Sequence, residues 1–294
     1  MKLVLTMTLP VFVAIAGCGS AHRAEAPGDA MLRQNARAGD LALSLDRPEE
    51  AITKYQAALA RARARDDNTA IGDYGYDLAV AQLAANQPEQ ALASVRMTRA
   101  DLARRGAVSF AALDLAEAVA CYRIGDKEES NRIAARVEAG ADPVAAARAS
   151  FLRGLIADEN NDAPALDRAI ARLAGDGSVP AQADMAELSA RRDIRRGALV
   201  AATAEAERAV DLRRGDLDYR GMARALSVAA DAEFRAGKAA EAAALYLRAG
   251  QSAAAQGDEQ MARQSLRRAM ELSHDAGLLD AASRTMAELG KSSR

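Results

Sequence analysis

The chain has 294 residues, half of them hydrophobic but only 3% aromatic, with no Trp and with 75 Ala. Single cores stop growing near roughly 250–300 residues and Ala, the strongest helix former, gives them little surface. The composition therefore predicts an elongated all-α protein and argues against a β-sandwich or barrel, which needs β-branched and aromatic strands. Lys and Arg number 39 against 41 Asp and Glu, a balance that leaves no basic footprint for nucleic acid.

Met1 and Lys2 give the chain a short positive start, and Leu3 to Ala16 is apolar apart from Thr6, Thr8 and Pro10. Spanning a bilayer takes about 20 residues, so this run has the length of a signal-peptide core instead. It ends in Ile15-Ala16-Gly17-Cys18, which resembles the lipobox of bacterial lipoproteins: an aliphatic residue, two small residues and Cys. The resemblance implies that residues 1–17 are removed and that Cys18 becomes the first mature residue, acylated and held on a membrane. Gly19 and Ser20 follow it, not the Asp that retains such proteins in the inner membrane. The implied location is therefore the periplasmic face of the outer membrane.

Residues 18–30 read as this lipidated Cys and a small, polar tether. Its reach is about 40 Å at full stretch and roughly 20 Å as a coil, so the body stays near the membrane. The only other cysteine, Cys121, lies in the apolar run Ala-Glu-Ala-Val-Ala-Cys. With Cys18 acylated it has no disulfide partner, and it is expected to be a small buried side chain.

Residues 31–294 repeat themselves. A series of turn residues, Asp46, Asn86, Gly125, Asn161, Gly197, Gly237 and Gly277, recurs at spacings of 40, 39, 36, 36, 40 and 40. All tolerate left-handed or turn geometry. Seven residues before each stand Gly39, Ala79, Ala118, Gly154, Ala190, Ala230 and Met270. Five residues after each come Ala51, Ala91, Ser130, Leu166, Ala202, Ala242 and Ala282, and four further on Tyr55, Val95, Ala134, Ile170, Ala206, Tyr246 and Met286. None of the seven prolines falls in the interior of a helix predicted on this register, where it would cost about 3 kcal/mol.

A helix with a small residue, a short turn, and a second helix with small, larger and small residues at spacings of four and three is similar to the tetratricopeptide repeat. Residues 32–65 and 223–256 carry the closest match, through Gly39, Ala51, Tyr55 and Ala58 and through Ala230, Gly237, Ala242, Tyr246 and Ala249. The resemblance implies a right-handed α-solenoid of about seven helical hairpins whose first helices line a concave surface. The family's pattern projects a groove formed by Tyr76, Tyr122, Arg123, Phe151, Arg191, Arg195, Asp231 and Arg235, with Asp158, Glu159, Asp184, Glu187 and Arg224 among the neighbouring positions. Its first half is mostly apolar and its second half charged and rich in Arg, which suits a protein or peptide with an apolar and then an acidic segment.

The inventory for catalysis is short. There are two His, His22 in the tether and His274 late in the chain, so a nucleophile–base pair has one candidate base at most. No Cys-x-x-Cys, His-Glu-x-x-His or phosphate-loop pattern is present, and no catalytic residue, cofactor or metal is expected. The sequence thus reads as a lipid-anchored periplasmic scaffold or adaptor in cell-envelope assembly. An accessory to outer-membrane β-barrel insertion and a pilotin-like helper for a pilus or secretion channel are its variants, and an envelope enzyme is the remote alternative.

Overall fold

A computed structural model describes residues 29–292, which form fourteen α-helices and no strand. They alternate as seven antiparallel hairpins: α1 (Ala30–Ser44) with α2 (Pro48–Ala64), α3 (Asn68–Ala84) with α4 (Pro88–Arg104), and α5 (Ala111–Arg123) with α6 (Lys127–Glu138). Next come α7 (Pro143–Glu159) with α8 (Ala163–Leu173), and α9 (Val179–Arg196) with α10 (Leu199–Gly215). The array ends with α11 (Tyr219–Arg235) and α12 (Ala239–Ala255), then α13 (Glu259–Leu272) and α14 (Ala276–Ser292). Each helix packs on the next along the chain, so the molecule is an α-solenoid. The lipobox with Cys18 and nearly all of the expected tether lie outside the described residues. Asp29, at the end of that tether, is already fixed: its carboxylate accepts from the N–H groups of Met31 and Leu32 and caps α1.

The punctuation follows the sequence. Asp46, Asn86, Gly125, Asn161, Gly197 and Gly237 all take positive φ, between 55° and 89°, in the turns inside the first six hairpins, including the two central hairpins where the repeat pattern is weakest. Pro48, Pro88, Pro143, Pro164 and Pro180 all occupy first turns of helices, where the missing N–H costs nothing. Six helices from α3 to α13 begin at an Asp whose side chain accepts from a backbone N–H of the first turn. The seventh turn differs from expectation. Gly277 lies inside α14, and the chain turns at Ser273, His274 and Asp275, where the Asp275 carboxylate accepts from Leu278 N at 2.7 Å and the helix starts three residues early.

There is no single core. Buried residues form a string of clusters between consecutive helices, and the repeat positions supply most of them. Ala51, Ala91, Ser130, Ala202, Ala242 and Ala282 are completely buried. Gly39 accommodates the Tyr55 ring, Gly75 accommodates Thr98, and an added Cβ at Gly154 would lie 2.3 Å from Leu188 Cδ1. Leu188 belongs to α9, so Gly154 admits the first helix of the next hairpin as well as Ala169 of its own. In the two best-matching repeats the buried Tyr also turns its hydroxyl to a first-helix carboxylate: Tyr55 donates to Asp40 Oδ1 at 2.8 Å, and Tyr246 donates to Asp231.

Two substitutions test this packing. Gly154→Leu is expected to lower stability by about 1–3 kcal/mol through overpacking, read by denaturant unfolding; an unchanged midpoint would contradict the register. Leu217 takes φ 59° in the turn between α10 and α11 and is largely exposed, whereas the turns before α3 and α13 place Asp66 and Gly257 in this conformation. Leu217→Gly is therefore expected to raise stability by up to about 1 kcal/mol by relieving left-handed strain, measured in the same way.

Candidate functional site

The odd-numbered helices from α3 to α11 pack on one another as well as on their chain neighbours. They therefore occupy the tighter, inner curve of the solenoid and form its concave wall. Three kinds of surface follow along this wall.

Toward the amino-terminal end it is aromatic and acidic. The half-buried Tyr76 stands edge-on to Phe110, with ring centroids 6.2 Å apart. Asp77, on the same helix, is pushed up to about 6 by burial and by the like charges of Asp40 and Asp73. This end was expected to be apolar, and the carboxylates add a charge that the groove projection gave little weight.

In the middle the wall is an ion network laid over an aromatic ring. Phe151 is 8% exposed and forms floor instead of open surface; the guanidinium carbons of Arg224 and Arg213 lie 5.0 and 5.5 Å from its centroid. Arg213 reaches in from α10 and is itself 2% exposed, bonding Asp184 Oδ1 and Glu187 Oε2 at 2.8 Å each and Asp218 Oδ2 at 2.6 Å. Glu187 also accepts from Arg224 at 2.7 Å and from Arg191 at 3.1 Å. Burial alone would raise the Glu187 carboxyl, but Arg224, Arg191 and Arg213 together hold it at about 2. Asp184 and Glu187, projected as groove-facing, are thus completely buried counterions. Arg213 escaped the projection because it sits on a second helix. Its signal is a basic residue on the buried stripe of Ala202, Ala206 and Ala209.

Beyond the network lies a cleft of about 410 Å³ between α7, α9 and α11, and it gathers four of the eight expected residues: Arg191, Arg195, Asp231 and Arg235. Three of the four are engaged internally. Arg191 bonds Asp158 Oδ2 at 3.3 Å and Arg195 bonds Asp158 Oδ1 at 2.5 Å, while Asp231 accepts from Tyr246. Arg235 is exposed and has no ion-pair or hydrogen-bond partner among the described residues. The remaining expected residues lie on α5, away from this cleft. Tyr122 is half-buried and donates to Glu159 Oε1 at 2.5 Å. Arg123 is exposed, and its one bond goes to the carbonyl of Leu83 at 2.9 Å. Desolvation, opposed by Asp258 and reinforced by Arg220 and Arg224, lowers the Arg123 guanidinium from its usual range.

The other candidate groups are placed plainly. Cys121 is completely buried, and burial together with Glu117 pushes its thiol up to about 11, which leaves it a packing residue. His274 is exposed in the last turn, between α13 and α14. Among the described residues no cluster of His, Cys, Asp and Glu is arranged to hold a metal ion, and no helix is long and apolar enough to cross a membrane.

No family model and no curated protein matches the chain. Solved structures do. A tetratricopeptide-repeat protein from Parabacteroides merdae is similar over 87% of this chain and 99% of its own, with a TM-score of 0.50 at 16% identity. A signal-transduction ATPase from Pyrococcus horikoshii with a tetratricopeptide-repeat sensor is similar over 91% of this chain and 41% of its own, with a TM-score of 0.56 at 12% identity. At these identities the likeness concerns fold alone: the chain has the tetratricopeptide-repeat fold expected from its spacing.

The two titrating carboxyls give opposite signs. Glu187 is depressed below its ordinary 4.5, so its contribution is present above that pH and is lost as pH falls toward about 2. Removing a partner from a buried pair costs about 3–5 kcal/mol, so Glu187→Gln is expected to destabilise by that order at pH 7 and by progressively less as the pH drops. Asp77 is raised above its ordinary 3.8, so its ionisation costs stability as pH rises from there through about 6. Asp77→Asn is expected to stabilise on the order of 1 kcal/mol at pH 7 and not at all at pH 3.5. Chemical unfolding at the two pH values reads both.

Proposed function

We propose that this chain is a lipid-anchored periplasmic scaffold that binds proteins or peptides on its concave wall and serves in cell-envelope assembly. The observation that carries the binding half is the pair of exposed guanidiniums left without a carboxylate bond, Arg123 and Arg235, on a wall where Arg191, Arg195, Arg213 and Arg224 all have one. A solenoid could leave its inner face as neutral as its composition. Two cations without a carboxylate bond, on a wall that also carries the aromatic pair of Tyr76 and Phe110, suit acidic and apolar side chains of a partner. The Ile15-Ala16-Gly17-Cys18 motif supports the anchor, and a tether reaching roughly 20 Å as a coil keeps the wall at the membrane surface.

The chemistry of the site supports binding over turnover. Tyr122, Arg191, Arg195 and Asp231 are each bonded to another side chain of the fold, so they shape the wall, and Arg123 and Arg235 supply attraction. Tyr122 and Arg191 are for that reason poor residues to substitute in a binding assay, since their loss disturbs the fold itself.

Two experiments test the two halves. Cys18→Ser is expected to release the protein from the membrane fraction; a protein still in the membrane pellet at unchanged mobility contradicts the anchor. Arg123→Glu combined with Arg235→Glu is expected to abolish in-cell crosslinks to partner proteins while leaving the unfolding midpoint within about 1 kcal/mol, as for surface substitutions. Crosslinks that persist at wild-type intensity contradict the binding role of this wall.

A further inference from the structure

The two ends of the stack meet water differently. A terminal helix has a face that no further hairpin covers, and repeat arrays stay soluble by making that face polar. The last helix, α14, follows the rule: among the described residues none of its large hydrophobic side chains is exposed, whereas Asp280, Arg284 and Glu288 are. The first helix breaks it. Met31 is 57% exposed, Leu41 59%, and Leu45, the C-cap residue of α1, 54%. No other helix carries more than two exposed large hydrophobics.

These residues form a stripe. On a helix of 3.6 residues per turn, Met31, Ala38, Leu41 and Leu45 fall within about 80° of one another around the axis, and Gln34 is the one polar side chain in that arc. Leu32, Gly39 and Ala42 are buried on the neighbouring arc. Arg33 and Arg37, one turn apart, border the stripe on its other side. Both are exposed, and neither side chain has an ion-pair or hydrogen-bond partner among the described residues. Single surface hydrophobes are ordinary, but a contiguous apolar stripe rimmed by polar groups marks a contact surface.

The chain itself indicates what covers it. Residues 19–28 alone separate Cys18 from Asp29, the cap of α1. A tether of this length reaches about 40 Å when extended, and α1 is about 22 Å long, so every part of the stripe can touch the bilayer that holds the anchor. Tethering also keeps α1 at a high local concentration of lipid, and an attraction too weak to bind a free protein then suffices. An apolar stripe bordered by basic residues suits a helix lying in the membrane interface, where Arg33 and Arg37 meet anionic headgroups.

Resting on the lipid-anchor reading above, we propose that α1 docks flat on the bilayer, with Met31, Leu41 and Leu45 among the headgroups and Arg33 and Arg37 against lipid phosphates. Cys18 then fixes where the protein sits, and the stripe fixes how it is turned. The solenoid rises from the membrane at its amino-terminal end and does not swing freely on its tether.

The test uses the full chain, purified from the membrane fraction and returned to vesicles of phosphatidylethanolamine and phosphatidylglycerol that carry a nitroxide-labelled lipid. A nitrobenzoxadiazole dye is placed by Leu41→Cys, Met97→Cys or Val200→Cys. Each of these positions is exposed, and Cys121 is completely buried, so with Cys18 acylated the introduced thiol takes the dye. Quenching by the lipid is expected to be at least about twofold stronger at position 41 than at positions 97 and 200, since an interfacial helix buries its apolar face. Met31→Asp combined with Leu45→Asp is expected to bring position 41 down to the level of the other two. Arg33→Gln combined with Arg37→Gln is expected to lower quenching at position 41 only when phosphatidylglycerol is present. Equal quenching at the three positions, or quenching at position 41 that survives the Asp pair, overturns the docking. Quenching indifferent to phosphatidylglycerol overturns the role of the two Arg. Protein that floats with the vesicles but shows equal quenching loses the docking alone; protein absent from the membrane fraction loses the anchor reading and the docking with it.

Discussion

Close approach of helix backbones is the constraint on which this structure rests. A chain with 3% aromatic residues and 75 Ala has little bulky apolar surface to bury, so contact area comes from many short-range meetings of small side chains. Gly39, Gly75, Gly154 and Gly250 stand where even one added carbon would meet a neighbouring side chain at under 3 Å. The larger residues, Tyr55, Ile71, Leu113, Leu166, Leu188 and Leu266, are then spread along the array and not concentrated at a centre. Because each hairpin closes mainly on its neighbours, stability is a sum of local interfaces, and the length of the chain becomes a length of surface.

That surface is bought partly with charge. A wall of Ala and Gly alone would be featureless, and the hairpins around α9 instead bury Asp184, Glu187 and Arg213 over the ring of Phe151. Such an ensemble is poor as a source of net stability, since desolvation offsets much of the attraction. It does fix where neighbouring guanidiniums point: Arg191 and Arg224 are held by Glu187, and Arg195 by Asp158. The ion-paired network sets off the two cations that lack a carboxylate bond.

Much of this architecture can be read from the residues. Turn residues with a tolerance for positive φ mark six of the seven hairpins, because a sharp reversal after a helix admits few side chains. The last hairpin misleads because Asp275 caps α14 before Gly277 is reached, and a cap needs no left-handed residue. On the wall, four of the projected residues line one cleft and Asp184 and Glu187 are buried, a difference that spacing does not carry because it is silent on what each residue bonds. Asp231 looks free in the sequence and is taken by Tyr246, fifteen residues away on the partner helix. Arg213 lies on a second helix and enters the wall only because two buried acids on α9 draw it in. Pairing of this kind depends on register between helices, which a periodic pattern does not carry.

The central claim is that the inner wall, and not the outer one, meets the partner. Site-specific photocrosslinking in cells tests it most directly, with a photoreactive residue placed either at Arg235 in the inner cleft or at Val200, 88% exposed on the second helix of the preceding hairpin. Protein adducts are expected from position 235 and none above background from position 200. Adducts from position 200 with none from position 235 would contradict it.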